Sequence, residues 1–230
     1  MIVCSVCQAE NDDFAIVCSS CKSFLQTRVD TLDLFSTAWQ LIESPTAAFK
    51  KIVLSQHKNY LILLSSLLGM SIVYGMIWFE KLGNAFSNVL TIVGAGLLIG
   101  PIVGIIFVLA LGFFSMRTSK ALGGRTTLKN MSAVVAYSTI PIVLSLVFVF
   151  PVEIAVFGSD FFGTNPPPMI IKPVVYVTLL GMDFLAVAWS FVLLVKGTSV
   201  ATGFSTVKSL TVTLASGGVA GLCFVGLHFI

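Results

Sequence analysis

Five long apolar stretches constrain this chain more than any other feature: about residues 60–79, 89–116, 131–152, 174–195 and 209–230. Four of them hold no lysine, arginine, aspartate or glutamate, and the stretch 174–195 holds one carboxylate, Asp183. Each meets the roughly 20 residues that a helix needs to cross ~30 Å of hydrocarbon. Only 10% of the 230 residues are charged and 57% are hydrophobic, where a soluble domain carries about 25% charged residues. That deficit excludes an ordinary globular core. The connections are short, so the expected fold is an all-α membrane protein with five transmembrane helices in one bundle.

The basic residues predict an orientation. Lys22, Arg28, Lys50, Lys51 and Lys58 precede the first stretch. Arg117, Lys120, Arg125 and Lys129 lie between the second and third, and Lys196 and Lys208 between the fourth and fifth. Eleven of the 13 lysines and arginines therefore share one side, leaving Lys81 and Lys172 for the other. Positive residues mark the cytoplasmic face, so the N-terminus is expected in the cytoplasm and the C-terminus opposite. No secretory leader is expected, because Met1–Val3 lacks a basic start and the first long apolar run begins at Tyr60. The sequon Asn130-Met131-Ser132 falls on the cytoplasmic side and is not read as glycosylated.

In front of the bundle stands MIVCSVCQAENDDFAIVCSSCK. Cys4, Cys7, Cys18 and Cys21 form two Cys-x-x-Cys pairs, and two such turns close a tetrahedral four-thiolate site. A reducing cytoplasm disfavours two disulfides, and so short a segment lacks the strand–helix frame of a thioredoxin-like redox pair. The head, residues 1–28, is therefore read as a zinc ribbon, with iron as the minor alternative because thiolates also hold it. Four ligands leave no open coordination position, so the metal is structural. Glu10, Asp12 and Asp13 surround the cysteines, and Lys22 is the one basic residue up to position 22. Such a surface repels phosphate, which excludes nucleic acid and favours protein docking. Cys223 is read as an ordinary packing residue.

Residues 29–58 read as a linker with amphipathic helices. Asp30 or Thr31 can cap a helix carrying Leu34, Ala38, Leu41 and Ile42, and Ser44-Pro45 begins a second one. The second places Phe49, Ile52 and Val53 on one face, with Lys50, Lys51 and Lys58 around it. That face suits either the lipid interface or ordinary packing. Beyond it, residues 59–230 form the membrane domain. Phe157, Phe161 and Phe162, in the connection between the third and fourth spans, are expected to enter the outer interface.

Within the spans, Asp183 lies nine residues into its stretch, ~13 Å along a helix and close to mid-bilayer. A carboxylate there must face the interior. Tyr137, Ser138 and Thr139 are its candidate partners. The pair of readings is an ion or proton site, or a hydrogen bond between helices. An aspartyl protease needs a second aspartate on another span, which is absent, and no His-Glu-x-x-His motif occurs. Gly96, Gly100 and Gly104, and likewise Gly217 and Gly221, recur every four residues, a spacing that admits close helix packing or a homo-oligomer.

Ser44-Pro45-Thr46-Ala47-Ala48-Phe49-Lys50-Lys51-Ile52 before the first span resembles the entry to the Yip (Ypt-interacting protein) membrane family. Ala136-Tyr137-Ser138-Thr139-Ile140-Pro141 does likewise, over a region of about residues 35–228. Prokaryotic members with a short zinc ribbon in front look most like this chain. The resemblance implies a non-enzymatic membrane protein that organises traffic or recruits cytosolic partners, which in eukaryotic relatives are Rab-type small GTPases. This chain lacks an Asp-Leu-Tyr-Gly-Pro stretch before the first span, which argues against a GTPase partner. It also carries Gln8 and Lys22 where a knuckle glycine often follows the second cysteine. The expected function is an adaptor or scaffold at the lipid bilayer with a cytosolic protein partner. The alternative is a transporter or channel component using Asp183.

Overall fold

Capping residues and prolines set where the helices start and break. The computed structural model describes residues 2–12, 15–25, 31–86 and 88–228, with side chains as far as Gly218. A two-stranded antiparallel ribbon forms the head, with β1 (Ile2–Val3) paired to β2 (Glu10–Asn11) and a single bridge joining Val17 to Phe24. Asp33, rather than Asp30 or Thr31, caps α1 (Leu34–Glu43): its carboxylate accepts from the Ser36 N–H at 2.7 Å. Ser44-Pro45 opens α2 (Pro45–Leu54), where proline suits a first turn that needs no N–H.

Six further helices build most of the bundle: α3 (Leu61–Phe79), α4 (Val89–Ala121), α5 (Leu128–Ser138), α6 (Ile140–Phe148), α7 (Phe150–Phe157) and, after a single turn α8 (Pro168–Ile171), α9 (Pro173–Thr202). A final helix, α10 (Thr206–His228), follows. Among the described residues, four stretches are long and apolar enough to cross a membrane: Leu61–Phe79, Val89–Ala121, Leu128–Phe162 and Pro173–Thr202. The expected stretch 209–230 corresponds to α10, which packs on α4 and α9. Ser209, Val212 and Ser216 are buried there, and the Ser115 hydroxyl donates to Ser216 at 3.0 Å.

The third stretch differs most from expectation. It extends to Phe162 rather than ending near residue 152, and it is broken twice. Pro141 and Pro151 each sit in the first turn of a new helix, because a proline ring clashes with the preceding turn and forces a restart. The chain then folds back through a 3₁₀ turn, Gly158–Phe162. Phe157, Phe161 and Phe162 consequently lie buried against Tyr74, Ile77, Ile92 and Tyr176, not at an outer interface.

Two apolar cores result among the described residues, one against each end of the bundle. The first joins Phe49 and Ile52 of α2 to Val134 and Tyr137 of α5 and Leu193 of α9. The face of α2 is thus filled by protein and unavailable to lipid: a Cβ on Gly197 of α9 would stand 2.8 Å from the Phe49 ring. On α1 the outward face, Phe35, Trp39 and Ile42, is exposed instead.

Candidate metal centre and an acidic cleft between helices

Each cysteine pair lies on a tight turn, and the two turns repeat one another 14 positions apart. Gln8 N–H donates to the Cys4 carbonyl at 2.9 Å, and Lys22 N–H to the Cys18 carbonyl at 3.1 Å. Cys4 N–H donates to Ala9 at 3.0 Å, and Cys18 N–H to Ser23 at 2.9 Å. Gln8 and Lys22 take φ of 58° and 60°, the left-handed region in which glycine is at ease. The missing knuckle glycines have not changed the turn.

All four sulfurs lie within 4.8 Å of one another, with Cys4–Cys21 at 3.6 Å and Cys7–Cys18 at 3.5 Å. A disulfide would need about 2.05 Å, whereas a tetrahedron with ~2.3 Å metal–sulfur bonds has edges of about 3.8 Å. The four cysteines can hold a metal ion. Hydrogen bonds already favour thiolate at two of them. Ser23 hydroxyl, then the backbone N–H groups of Cys7 and Val6, pull the Cys4 thiol down to about 6. Cys18 is lowered chiefly by the Cys21 N–H, with Asn11 contributing. Asn11 is held in turn, since its carbonyl oxygen accepts from the Ser19 N–H at 2.8 Å and from the Ser19 hydroxyl at 3.0 Å. At Cys7 the Ala9 N–H lowers the thiol, but the neighbouring sulfurs and desolvation prevail and push it up to about 11. Crowding of that kind is relieved when a cation replaces the protons.

In the bundle, Asp183 does not meet the partners expected for it. The Tyr137 hydroxyl donates to the Asn59 carbonyl at 2.6 Å, while Ser138 and Thr139 bond back to Val135 and Ala136 of their own helix. Asp183 instead accepts from the Ser145 hydroxyl of α6. A second carboxyl lies nearby: Glu153 of α7 interacts directly with Asp183. Glu153 is only 3% exposed, and its Oε1 has no hydrogen-bond partner among the described residues. The apolar stretch expected at 131–152 stops one residue short of Glu153, which would leave it in the connection to the fourth span. Its signal was Phe150-Pro151-Val152-Glu153-Ile154-Ala155-Val156-Phe157, an apolar segment restarted by proline with one carboxyl inside.

These groups line a cleft of about 300 Å³ between α3, α6, α7 and α9. Its walls are aromatic, with Tyr74, Trp78, Phe150 and Phe184 among them, and no Lys, Arg or His among the described residues lines it. Tyr74 stacks on Phe150 at 4.3 Å and donates to the Val93 carbonyl at 3.1 Å. Trp78 Nε1 donates to the Tyr176 hydroxyl at 3.1 Å.

Glycines decide how near α3 and α4 come. A Cβ on Gly104 would collide with the Ser65 carbonyl, and one on Gly69 with that of Gly100. A Cβ on Gly100 would stand 2.7 Å from the Met70 backbone, and one on Gly96 would enter the Tyr74 ring. Gly69, which the four-residue spacing does not pick out, sits at the closest approach. A Cβ on Gly217 meets nothing within 4 Å, and Gly221 lies outside the residues whose side chains are described.

The family model for the Yip1 domain matches residues 39–227. No curated protein matches the chain, and no solved structure does.

Proposed function

The chain belongs to the Yip1 domain family, and from that premise we propose that it is a non-enzymatic, multi-pass membrane adaptor or scaffold acting in membrane organisation or trafficking. Its head, residues 1–28, binds zinc and docks a cytosolic protein; residues 29–58 join the head to a five-span domain, 59–230. The observation that carries this reading is the convergence of four thiols in a small acidic head placed before an apolar bundle. Four sulfur ligands at tetrahedral spacing favour zinc and leave no catalytic position.

The cytoplasmic N-terminus is supported by where the basic connections lie. Lys129 donates to the Gln56 carbonyl at 2.7 Å, bringing the α4–α5 connection to the end of α2. A Cβ on Gly124 would stand 2.7 Å from the Phe204 ring, so the same connection abuts the α9–α10 turn. Three basic segments thus share one end of the bundle, the arrangement that the positive-inside rule associates with the cytoplasm.

Cross-linking in intact cells tests the adaptor reading. Cytosolic proteins captured by the full chain should be lost on deleting residues 1–28 and on changing Cys4 and Cys18 to Ser, with membrane insertion unchanged. Capture that survives both changes would remove the head from docking. The competing reading, transport through Asp183, is favoured by the cleft around it. Loss of solute or ion flux in Asp183→Asn, with normal assembly and normal capture of partners, would decide for transport.

A further inference from the structure

We propose that the cleft between α3, α6, α7 and α9 binds the primary ammonium group of an amphipathic amine, with Glu153, Asp183 and Ser145 as its acceptors. The inference is independent of the adaptor reading. Its starting point is Glu153: a carboxyl 97% buried, with an unpartnered Oε1, in a cleft that among the described residues holds a second carboxyl and no basic side chain. Burying such an oxygen without a donor costs free energy, and the described residues supply none. Ser145 serves Asp183 alone. The described residues thus set two adjacent carboxyls and a hydroxyl in the cleft, with Glu153 Oε1 unpartnered and no basic side chain among them.

The composition of the walls selects among cations. Calcium takes six to eight oxygen ligands and magnesium an octahedral shell. Here Glu153, Asp183 and Ser145 offer oxygen together, while the Ser71 and Tyr74 hydroxyls that also line the cleft donate to the Leu67 and Val93 carbonyls; the rest of the wall is Trp78, Phe150, Phe161, Phe162, Phe184, Gly75 and aliphatic groups. A primary ammonium needs only three acceptors, and aromatic faces attract it rather than leave it unsolvated. Its apolar body is also accommodated, because the mouth is formed by Phe79, Phe184 and Val187, which are exposed on the outer surface of apolar helices. A ligand entering there comes from the lipid. The chemistry is shared by an aminolipid headgroup and by a free long-chain amine.

Gly75 offers a way to close the cleft without touching the fold. It lines the cleft, and a Cβ there meets nothing within 4 Å. The experiment measures, on purified full-length protein, the rise in thermal midpoint and the change in Trp78 fluorescence in a Trp39→Phe, Trp189→Phe background. Dodecylamine is compared with dodecyltrimethylammonium in detergent, and phosphatidylethanolamine with phosphatidylcholine in nanodiscs. The expected result is a saturable response to dodecylamine, to phosphatidylethanolamine or to both, at least tenfold stronger than to the quaternary counterpart. A response to the lipid alone assigns an aminolipid, and a response to the free amine alone assigns a free amphipathic ligand. Glu153→Gln should weaken binding at least tenfold, and Gly75→Leu should abolish it while the unliganded midpoint is kept or raised. No preference for primary over quaternary amines in either medium overturns the proposal. So does a response that persists undiminished in Gly75→Leu, a variant that remains informative if Glu153→Gln fails to fold.

Discussion

Gln8 and Lys22 occupy the same left-handed position in the two cysteine turns, each one residue after the second cysteine of its pair, with φ of 58° and 60°. A residue with a Cβ pays roughly 1–2 kcal/mol there, part of which glycine returns as backbone entropy in the unfolded chain. Gln8→Gly should therefore stabilise the head by about 0.5–1 kcal/mol. Lys22→Gly should do the same, less its contact with Ser19. In a chelator competition on the intact protein, either variant should retain metal to a severalfold higher chelator concentration. Earlier loss would show that these side chains contribute more than their backbone strain removes.

Metal retention should also depend on Ser23, which bonds both the Cys4 and Cys21 sulfurs, at 3.1 and 3.0 Å. Its hydroxyl is the leading reason that Cys4 ionises near 6. In Ser23→Ala the Cys4 thiol rises, protons compete better for the sulfur, and metal should leave at a higher pH than in the unchanged protein. Metal content measured across a descending pH series checks this. An unchanged release midpoint would remove Ser23 from the site's electrostatics.

Close approach of α3 and α4 makes another prediction. Gly104→Val drives two methyl groups toward the Ser65 carbonyl and should lower stability by about 1–3 kcal/mol or more. Gly94→Ala, on the same helix with nothing within 4 Å of its Cβ, should be neutral or stabilising by about 0.5–1 kcal/mol. Thermal midpoints of the purified protein in detergent distinguish the two. Equal behaviour would mean that the α3–α4 seam yields readily.

Lys58 closes the C-terminal end of α2, donating to the carbonyls of Ile52 and, at 2.9 Å, Val53. Desolvation first, and then the charge of Lys129, lower its ammonium from 10.5 to about 8. Between these values the unfolded chain holds more protons than the folded one, so stability rises as pH increases from about 8 toward 10.5 and the deficit is fully present below 8. The thermal midpoint of the unchanged protein should gain on that of Lys58→Met across this window. A constant difference would mean that Lys58 titrates alike in both states.

Much of the architecture was legible one residue at a time. The span at 60–79, the start of α2 at Ser44-Pro45 and the metal-binding potential of the cysteines all rest on local features: run length, a cap beside a proline, and a Cys-x-x-Cys spacing that one turn satisfies. The side of α2 that packs was legible too, but not what it packs against. Lipid and protein reward the same apolar face, and only the neighbouring Val134 and Gly197 show that protein fills it.

The cleft was not legible, because its residues are distant in sequence and meet through one stretch that is broken twice. Asp183 announced itself as a lone carboxylate in an apolar run. Its partner depended on Pro141 and Pro151, which restart the third stretch twice and carry Ser145 and Glu153 into the bundle. Hydropathy and spacing thus determined that this chain forms apolar helices behind a four-cysteine head, since those properties are summed along the chain. Which acidic and aromatic groups face one another was decided by the direction of each helix after its break, a property that exists only once all the helices have packed.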